Sequence, residues 1–276
     1  MAILGVFIQS ENGIPIYKEA WSPKIKDLNR GDELLISGFM SAIRQFASSF
    51  NQEIGYIRFL PLDLEFKDDI GVDSILVDIN QYLAITFVDP FQFHDMTAIK
   101  LRWIYNKILS KYKDNISYGK TVNLTTDETN FIFDILHDQH ARDIIDSKRT
   151  ELIAAMDEFV SYNVDIRGVS INSFDNTILF NYGIKRNELE NLLYYMGRGI
   201  SKVSEYEILH KPIMKESGDS LLVCLTNPAI SIEISDIIGD ITKGTVPLYY
   251  YIITDADCSI GPVIGSLIDT LNPLIY

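Results

Sequence analysis

The feature that most constrains this chain is an internal repeat. Residues 3–17 read ILGVFIQSENGIPIY and residues 166–180 read IRGVSINSFDNTILF, an offset of 163 residues (166 − 3). Ile3/Ile166, Gly5/Gly168, Val6/Val169, Ile8/Ile171 and Ser10/Ser173 are identical at that offset, and Asn12/Asp175, Gly13/Asn176, Ile16/Leu179 and Tyr17/Phe180 match in chemistry. Each segment is two short β-rich runs around a polar turn, Glu11-Asn12-Gly13 in one and Phe174-Asp175-Asn176 in the other. Asn, Asp and Gly tolerate the positive φ that tight hairpin turns demand. Two unrelated hairpins are the alternative. A chain of 276 residues holds one large domain or two small ones, and the repeat divides it in two.

The segments after the two hairpins strengthen the division. Leu34, Leu35, Phe39, Ala42, Ile43, Phe46 and Phe50 fall at three- and four-residue spacings, predicting a helix from 32 to 50 with Asp32 as N-cap. Leu189, Leu192, Leu193 and Met196 repeat the pattern between 186 and 200. Strands are then expected at 55–64, 74–79 and 82–88, with a helix over 96–112 whose Ile99, Trp103, Ile104 and Ile108 face inward. The counterparts are strands at 206–214, 221–225 and 248–254 and a closing helix over 260–271. Residues 230–245 read as a strand or short helix plus loop, and 113–123 as a loop. Between the copies, 126–162 is helical by pattern, one bent helix or two, with Thr126, Asp127 and Glu128 as its start signal. The expected fold class is α+β: two units, each a mainly antiparallel sheet of about five strands packed with helices. The division is a domain at 1–125, a helical linker or shared helices at 126–162, and a second domain at 163–276.

Hydrophobic residues make up 47% and charged residues 22%, so the chain has the composition of a globular protein and not of a disordered one. Its formal net charge of −14 repels phosphate backbones and anionic lipid heads, which argues against nucleic acid as a partner. No apolar window approaches the 18 residues of a membrane span, and Met1–Ile8 meets Gln9, Ser10 and Glu11 too early for a signal peptide. With two cysteines, Cys224 and Cys258, and no CxxC, a reducing, cytoplasmic location is expected.

Catalytic chemistry has few candidates. Gly119, Lys120 and Thr121 resemble the tail of a phosphate-binding loop, but Asp114 stands where its leading glycine belongs. His137, His140 and Asp143, with Asp138, are weak candidate metal ligands, because residues three apart on one helix share a face; a solvated polar face is the better account of them. Asp63, Asp89, Asp255 and Asp257 sit at strand ends, where they serve as acid–base carboxylates or simply as strand and helix caps. Cys224 lies in the apolar run LLVCL, a core position, and neither cysteine has an assignable base. No cofactor is implied. The aromatics Tyr17, Trp21, Tyr194, Tyr195 and Tyr250 are the candidate partner-binding residues, with core packing as the competing role. Because Tyr249–Tyr251 alternate faces on a strand, at least one should point away from the core.

The first copy resembles a longin domain in its apolar start ILGVFIQS, its turn ENG, the strand IPIY and the helix DELLISGFMSAIRQFASSF. The second, with ELIAAMDEFVSYN directly before DIRGVSINSFDNTILFNYG, looks intermediate between longin and roadblock folds. The style is similar to archaeal relatives of eukaryotic trafficking proteins. The resemblance implies a non-catalytic platform that binds a small GTPase or another longin or roadblock subunit, acting as an exchange factor or trafficking scaffold. It also allows the two copies to pair as an internal pseudo-dimer, or the chain to form a homo-oligomer. No catalytic position is carried over. A metal-dependent or small-molecule enzyme built on His137 and His140 is the alternative.

Overall fold

A computed structural model describes residues 3–25, 33–60, 71–80, 82–114, 122–197, 203–214, 218–233 and 245–275. The chain divides into two compact units, Met1–His137 and Asp138–Tyr276. The helical stretch 126–162 is three helices, of which the first belongs to the first unit and the other two to the second.

In the first unit, β1 (Ile3–Ser10) and β2 (Pro15–Ala20) form the hairpin, α1 (Glu33–Ser48) follows, and β3 (Tyr56–Phe59), β4 (Val72–Ile79) and β5 (Tyr82–Val88) complete the sheet. Helix α2 (His94–Lys107), a 3-10 turn at Leu109–Tyr112 and α3 (Thr126–His137) close the unit. The sheet is antiparallel, in the order β2-β1-β5-β4-β3. The second unit opens with α4 (Gln139–Ser147) and α5 (Arg149–Tyr162), then β6 (Ile166–Asn172), β7 (Ile178–Tyr182) and α6 (Arg186–Met196). Strands β8 (Ile208–Met214) and β9 (Ser220–Thr226) follow, then a two-stranded ribbon of β10 (Ser231–Glu233) and β11 (Thr245–Pro247), β12 (Tyr249–Asp255) and α7 (Ile260–Ile275). Its sheet is antiparallel in the order β7-β6-β12-β9-β8, the first unit's order strand for strand.

The repeat extends to individual hydrogen bonds. Val6, Ile8 and Gln9 pair with Glu19, Tyr17 and Pro15; Val169, Ile171 and Asn172 pair with Tyr182, Phe180 and Ile178, which are the same partners shifted by 163 residues. The irregularity in register falls at the same step in both, between Ile8 and Gln9 and between Ile171 and Asn172. Both turns are closed by one serine. Ser10 N–H donates to Ile14 O at 2.9 Å, Gly13 N–H to Ser10 O at 2.9 Å, and Ile14 N–H to Ser10 Oγ at 3.0 Å. Ser173 makes the same three bonds with Thr177 O, Asn176 N–H and Thr177 N–H. Gly13 and Asn176 take the positive φ that the turn requires, 78° and 75°.

The repeated glycine has a steric origin. A Cβ on Gly5 would stand 2.7 Å from Glu19 O and 2.4 Å from Ile25 Cδ1, and one on Gly168 would stand 3.1 Å from Tyr182 O and 2.7 Å from Ile184 Cγ2. In each unit the hairpin partner's carbonyl and a following isoleucine close over the same spot.

Both faces of each sheet are buried. Leu4, Phe7, Leu76, Leu83, Ile85 and Phe87 form a core with Met40 of α1, and α2 lies along β4 with α3 beside it. In the second unit α5 and α7 pack together over Val169, Ile171, Cys224, Tyr250 and Ile252. Two-sided burial corrects the expectation for the tyrosine run: Tyr249, Tyr250 and Tyr251 alternate faces, yet all three are buried. Cys224 lies in the core as expected, where burial, reinforced by the nearby Cys258, pushes its thiol up to about 12.

Two interior polar groups depart from simple patterning. Lys100, on the inward face of α2, is buried and its Nζ donates to Leu136 O at 3.2 Å, placing a cation on the last turn of α3. That is the end of the helix where the dipole favours positive charge. The α3 start is a capping box: Thr125 Oγ1 accepts from Glu128 N–H at 3.3 Å, and Glu128 Oε2 accepts from Thr125 N–H at 2.7 Å.

Candidate functional site

Helix α1 is where sequence pattern and structure part most clearly. Its sheet-facing side is Ile36, Ser37, Met40, Arg44 and Ala47. Ser37 Oγ donates to Gly13 O at 2.6 Å, Gln9 Nε2 donates to Ser41 Oγ at 3.2 Å, and Arg44 pairs with Asp78. The phenylalanines expected in the core lie on another flank: Phe46 is 68% exposed, with Phe39 and Phe50 similarly open, against 2% for Met40. The Phe46 and Phe50 rings meet edge to face at 5.1 Å. The cause is steric. A helix crossing a sheet buries the side that points at it, and at 3.6 residues per turn Ile36, Met40 and Ala47 share that side while Phe39 and Phe46 stand about a quarter-turn away and Phe50 lies in the turn after the helix.

Among the described residues of the first unit, every exposed large hydrophobic lies between Phe39 and Leu60, on α1, on the edge strand β3 or just beyond: Phe39, Phe46, Phe50, Tyr56, Phe59 and Leu60. In the second unit Tyr195, Tyr206, Ile208 and Met214 occupy the corresponding stretch, from α6 to the end of edge strand β8. Ile153, Tyr162 and Val164, on α5 and after it, are the other exposed ones there. In both units the exposed large hydrophobics thus concentrate between the helix after the hairpin and the end of the edge strand.

On the face of β3 that carries Tyr56 and Arg58 sits a charged cluster. Asp73 of β4 is fully buried; Arg58 holds it through Nε–Oδ1 at 2.7 Å and Nη2–Oδ2 at 3.0 Å, and His94 Nε2 lies 3.0 Å from Oδ2. The Tyr56 ring covers His94 at 4.8 Å. Repeat-equivalent carboxylates after the central strands are also ion-paired: Asp89 with Lys24 at 3.7 Å, and Asp255 with Arg167, whose Nε donates at 2.8 Å. Asp89 and Asp255, two of the acidic strand ends of the sequence, are thus structural ties, one in each unit. Asp63 and the segment Gly119–Thr121 lie outside the described residues.

The metal candidates do not share a helix. The chain breaks after His137 because Asp138 adopts a left-handed φ of 53°, so His137 ends α3 while His140 and Asp143 belong to α4, and the shared helical face does not exist. His137 is buried between Trp21, at 4.7 Å, and Phe133, at 4.3 Å. Asp143 accepts a hydrogen bond from Gln139 at 2.7 Å. Among the described residues no group of three or more His, Cys, Asp or Glu is placed to hold a metal ion.

Of the aromatic candidates, Tyr195 is exposed, with the Tyr194 ring at 5.5 Å. Tyr17 is half-buried on β2, and burial, with Glu19 nearby, pushes its phenol up to about 12. Trp21 packs edge-on against Phe133 and His137. Tyr250 is excluded as a contact residue, since it is 0% exposed and its hydroxyl donates to Asn272 Oδ1 at 3.0 Å inside the second unit. The exposed phenylalanines escaped the sequence reading because they share the helical period of core residues. A signal was present: Ser37, Ser41 and Arg44 fall on the opposite flank from Phe39 and Phe46, so α1 has two apolar sides and one sheet to pack on.

Among the described residues no helix is long and apolar enough to cross a membrane. No family model matches the chain, and no curated protein matches it.

Proposed function

We propose that this chain is a non-catalytic interaction scaffold made of two longin/roadblock-like units, and that it works in the cytoplasm by binding a small GTPase or another longin or roadblock subunit. The observation that carries the reading is the concentration of exposed large hydrophobics in corresponding stretches of the two units, Phe39–Leu60 in one and Tyr195–Met214 in the other. The common strand order and hairpin register support a duplicated platform. Exposed aromatics provide the anchors that dominate interface energetics, and the net charge of −14 favours partners with a basic patch and speeds their encounter.

The test is retention of small GTPases from the source cytoplasm on the immobilised full chain, with GDP or a non-hydrolysable GTP analogue present. Nucleotide-dependent retention, weakened by Phe46→Ser or Tyr195→Ser, is expected. A GTP-state preference marks an effector, and a preference for the nucleotide-free state an exchange factor. Retention of neither a GTPase nor a longin or roadblock protein refutes the reading.

A further inference from the structure

The one Asn–Gly step of the chain, Asn12–Gly13, stands at the tip of the first hairpin. We infer that it is a site of self-modification. Gly13 N attacks the side-chain carbonyl carbon of Asn12, ammonia leaves, and water opens the resulting succinimide to an aspartyl or an isoaspartyl residue. One water is consumed for each ammonia released, and no other reactant is needed. The local structure favours this step over the same chemistry elsewhere in the chain. Asn12 is exposed and its side chain makes no hydrogen bond with the described residues, so its carbonyl carbon is open to attack. Gly13 brings no side chain to hinder the approach, and the fold holds it as glycine: its φ is 78°, and a Cβ there would stand 2.9 Å from Ser37 Oγ. The reaction competes with one bond of the turn, from Gly13 N–H to Ser10 O at 2.9 Å. It therefore proceeds when the tip frays, a local opening that needs far less free energy than unfolding of the unit.

The repeat shows which product the turn accepts. In the second unit Asp175 stands at the place of Asn12 and Asn176 at the place of Gly13. Asp175 is buried, and its Oδ1 accepts from Ser173 Oγ at 2.6 Å and from Thr177 N–H at 3.0 Å. An aspartate is thus native to this position of the turn, and the aspartyl product at position 12 keeps the same backbone. The isoaspartyl product does not, because its main chain runs through the former side chain and gains one methylene group. The lengthened turn carries Gly13 O, the acceptor of the 2.6 Å bond from Ser37 Oγ. Ser37 lies near the start of α1 and is only 2% exposed. Without that acceptor it is a buried hydroxyl lacking its partner, which favours local detachment of the helix. Isoaspartate at position 12 therefore loosens the first turns of α1 and leaves α6 of the second unit as it was.

The experiment ages the folded full chain in mildly alkaline buffer and maps deamidation by peptide mass spectrometry. An isoaspartyl O-methyltransferase with a labelled methyl donor counts the isoaspartate. The expected result is deamidation at Asn12 at least tenfold faster than at the exposed Asn51 and Asn106, with isoaspartate as the main product. Asn12→Gln, whose longer side chain cyclises far more slowly, should show none at position 12 over the same time. Deuterium exchange then reads the consequence. Amides of the first turns of α1 should exchange at least threefold faster in the aged wild type, with α6 unchanged. Aged Asn12→Gln and fresh Asn12→Asp, which adds the charge without the methylene, should both exchange as the fresh wild type does. Circular dichroism confirms that the variants are folded, and Asn12→Ser serves in place of one that is not. Deamidation at Asn12 no faster than at Asn51 and Asn106 overturns the site. Isoaspartate without faster exchange in α1, or equally fast exchange in aged Asn12→Gln or fresh Asn12→Asp, overturns the link from the turn to the helix.

Discussion

Where the first unit has Arg58, Asp73 and His94, the second has Pro212, Leu222 and Ile260. The correspondence comes from register: Arg58 pairs with Asp73 and Asp73 with Val88 across β3, β4 and β5, just as Pro212 pairs with Leu222 and Leu222 with Thr254 across β8, β9 and β12. His94 and Ile260 each open the next helix in their unit. One unit closes this corner with a buried carboxylate held by Arg58 and the His94 ring, the other with apolar packing of Leu222 and Ile260. The polarity reverses at the hairpin tips, where Glu11 and Asn12 are exposed while Asp175, Asn176 and Thr177 are buried in side-chain hydrogen bonds. A shared backbone thus tolerates opposite solutions at matched positions, provided every buried polar group finds partners.

The sharpest way to break this comparison is to make the first unit imitate the second at that corner. Asp73→Leu alone strands Arg58 and His94 beside an apolar group, and loss of one partner from a buried ion pair costs about 3–5 kcal/mol; partial exposure of Arg58 sets the expectation near the lower figure. The combined Arg58→Leu/Asp73→Leu/His94→Ile variant should recover most of that loss, because buried ion pairs replaced by packed hydrophobics are often neutral or stabilising. Urea unfolding measures both. If the triple variant is as unstable as the single one, the two corners are not interchangeable and the register correspondence carries no energetic meaning.

The repeated glycine gives the next largest effect. Gly5→Ala places a methyl 2.7 Å from the Glu19 carbonyl, a backbone atom that moves only with its strand, whereas at Gly168 the tightest contacts are with the Ile184 side chain and the carbonyl is 3.1 Å away. Overpacking costs about 1–3 kcal/mol, so Gly5→Ala should lie at the top of that range and Gly168→Ala below it. Hydrogen exchange should locate each loss in the unit that carries the substitution. Equal and negligible losses would mean that the repeated glycine is not there for close approach.

These positions also show what the sequence made legible. Gly5/Gly168 and Ser10/Ser173 were visible as identities because backbone geometry admits few residues at a close approach or a turn, and the antiparallel units followed from element order. The corner triad was not visible, since Arg58, Asp73 and His94 are 15 and 21 residues apart and meet only through strand pairing. The strand expected at 55–64 is described only over Tyr56–Phe59, and the helix expected over 96–112 ends at Lys107 with a 3-10 turn after it. Lys100 was assigned no inward role because a lysine enters an interior only when a partner such as Leu136 O receives it, and that partner is 36 residues away. Helix α1 misled for a different reason. Periodicity reports that a face is apolar and does not say whether protein or solvent lies against it.

A smaller effect separates the second helices that the two units place on one sheet face. Helix α3 has its capping box, while α5 starts at Lys148 without a side-chain cap. Desolvation alone would raise the Glu128 carboxyl, but hydrogen bonds from Lys111, the Thr125 N–H and the Tyr112 hydroxyl outweigh it and hold it at about 2. A folded-state value below the unfolded one gives stability that is complete above the unfolded value and lost as pH falls through the folded one. Glu128→Gln should therefore cost about 1 kcal/mol near neutrality, with the difference from wild type shrinking between about pH 4.5 and 2. A difference independent of pH over that window would show that the carboxylate charge contributes nothing to the cap.

The smallest expected effect bears on the two apolar sides of α1. Phe46 is mostly exposed and Met40 is buried between α1 and the sheet. Phe46→Ser should change stability by no more than about 0.5 kcal/mol, as surface substitutions do, whereas Met40→Ala should cost about 2–5 kcal/mol. Either residue alone is ambiguous, since a phenylalanine lost from an unrecognised core and one lost from a binding surface both impair a scaffold. Measured together on the free chain, they separate the cases. A near-zero loss for Phe46→Ser beside a large one for Met40→Ala means that folding does not account for the phenylalanine stripe, and that its apolarity serves an encounter with another molecule. A loss of several kcal/mol for Phe46→Ser would return the stripe to the interior and remove the edge on which the scaffold reading stands.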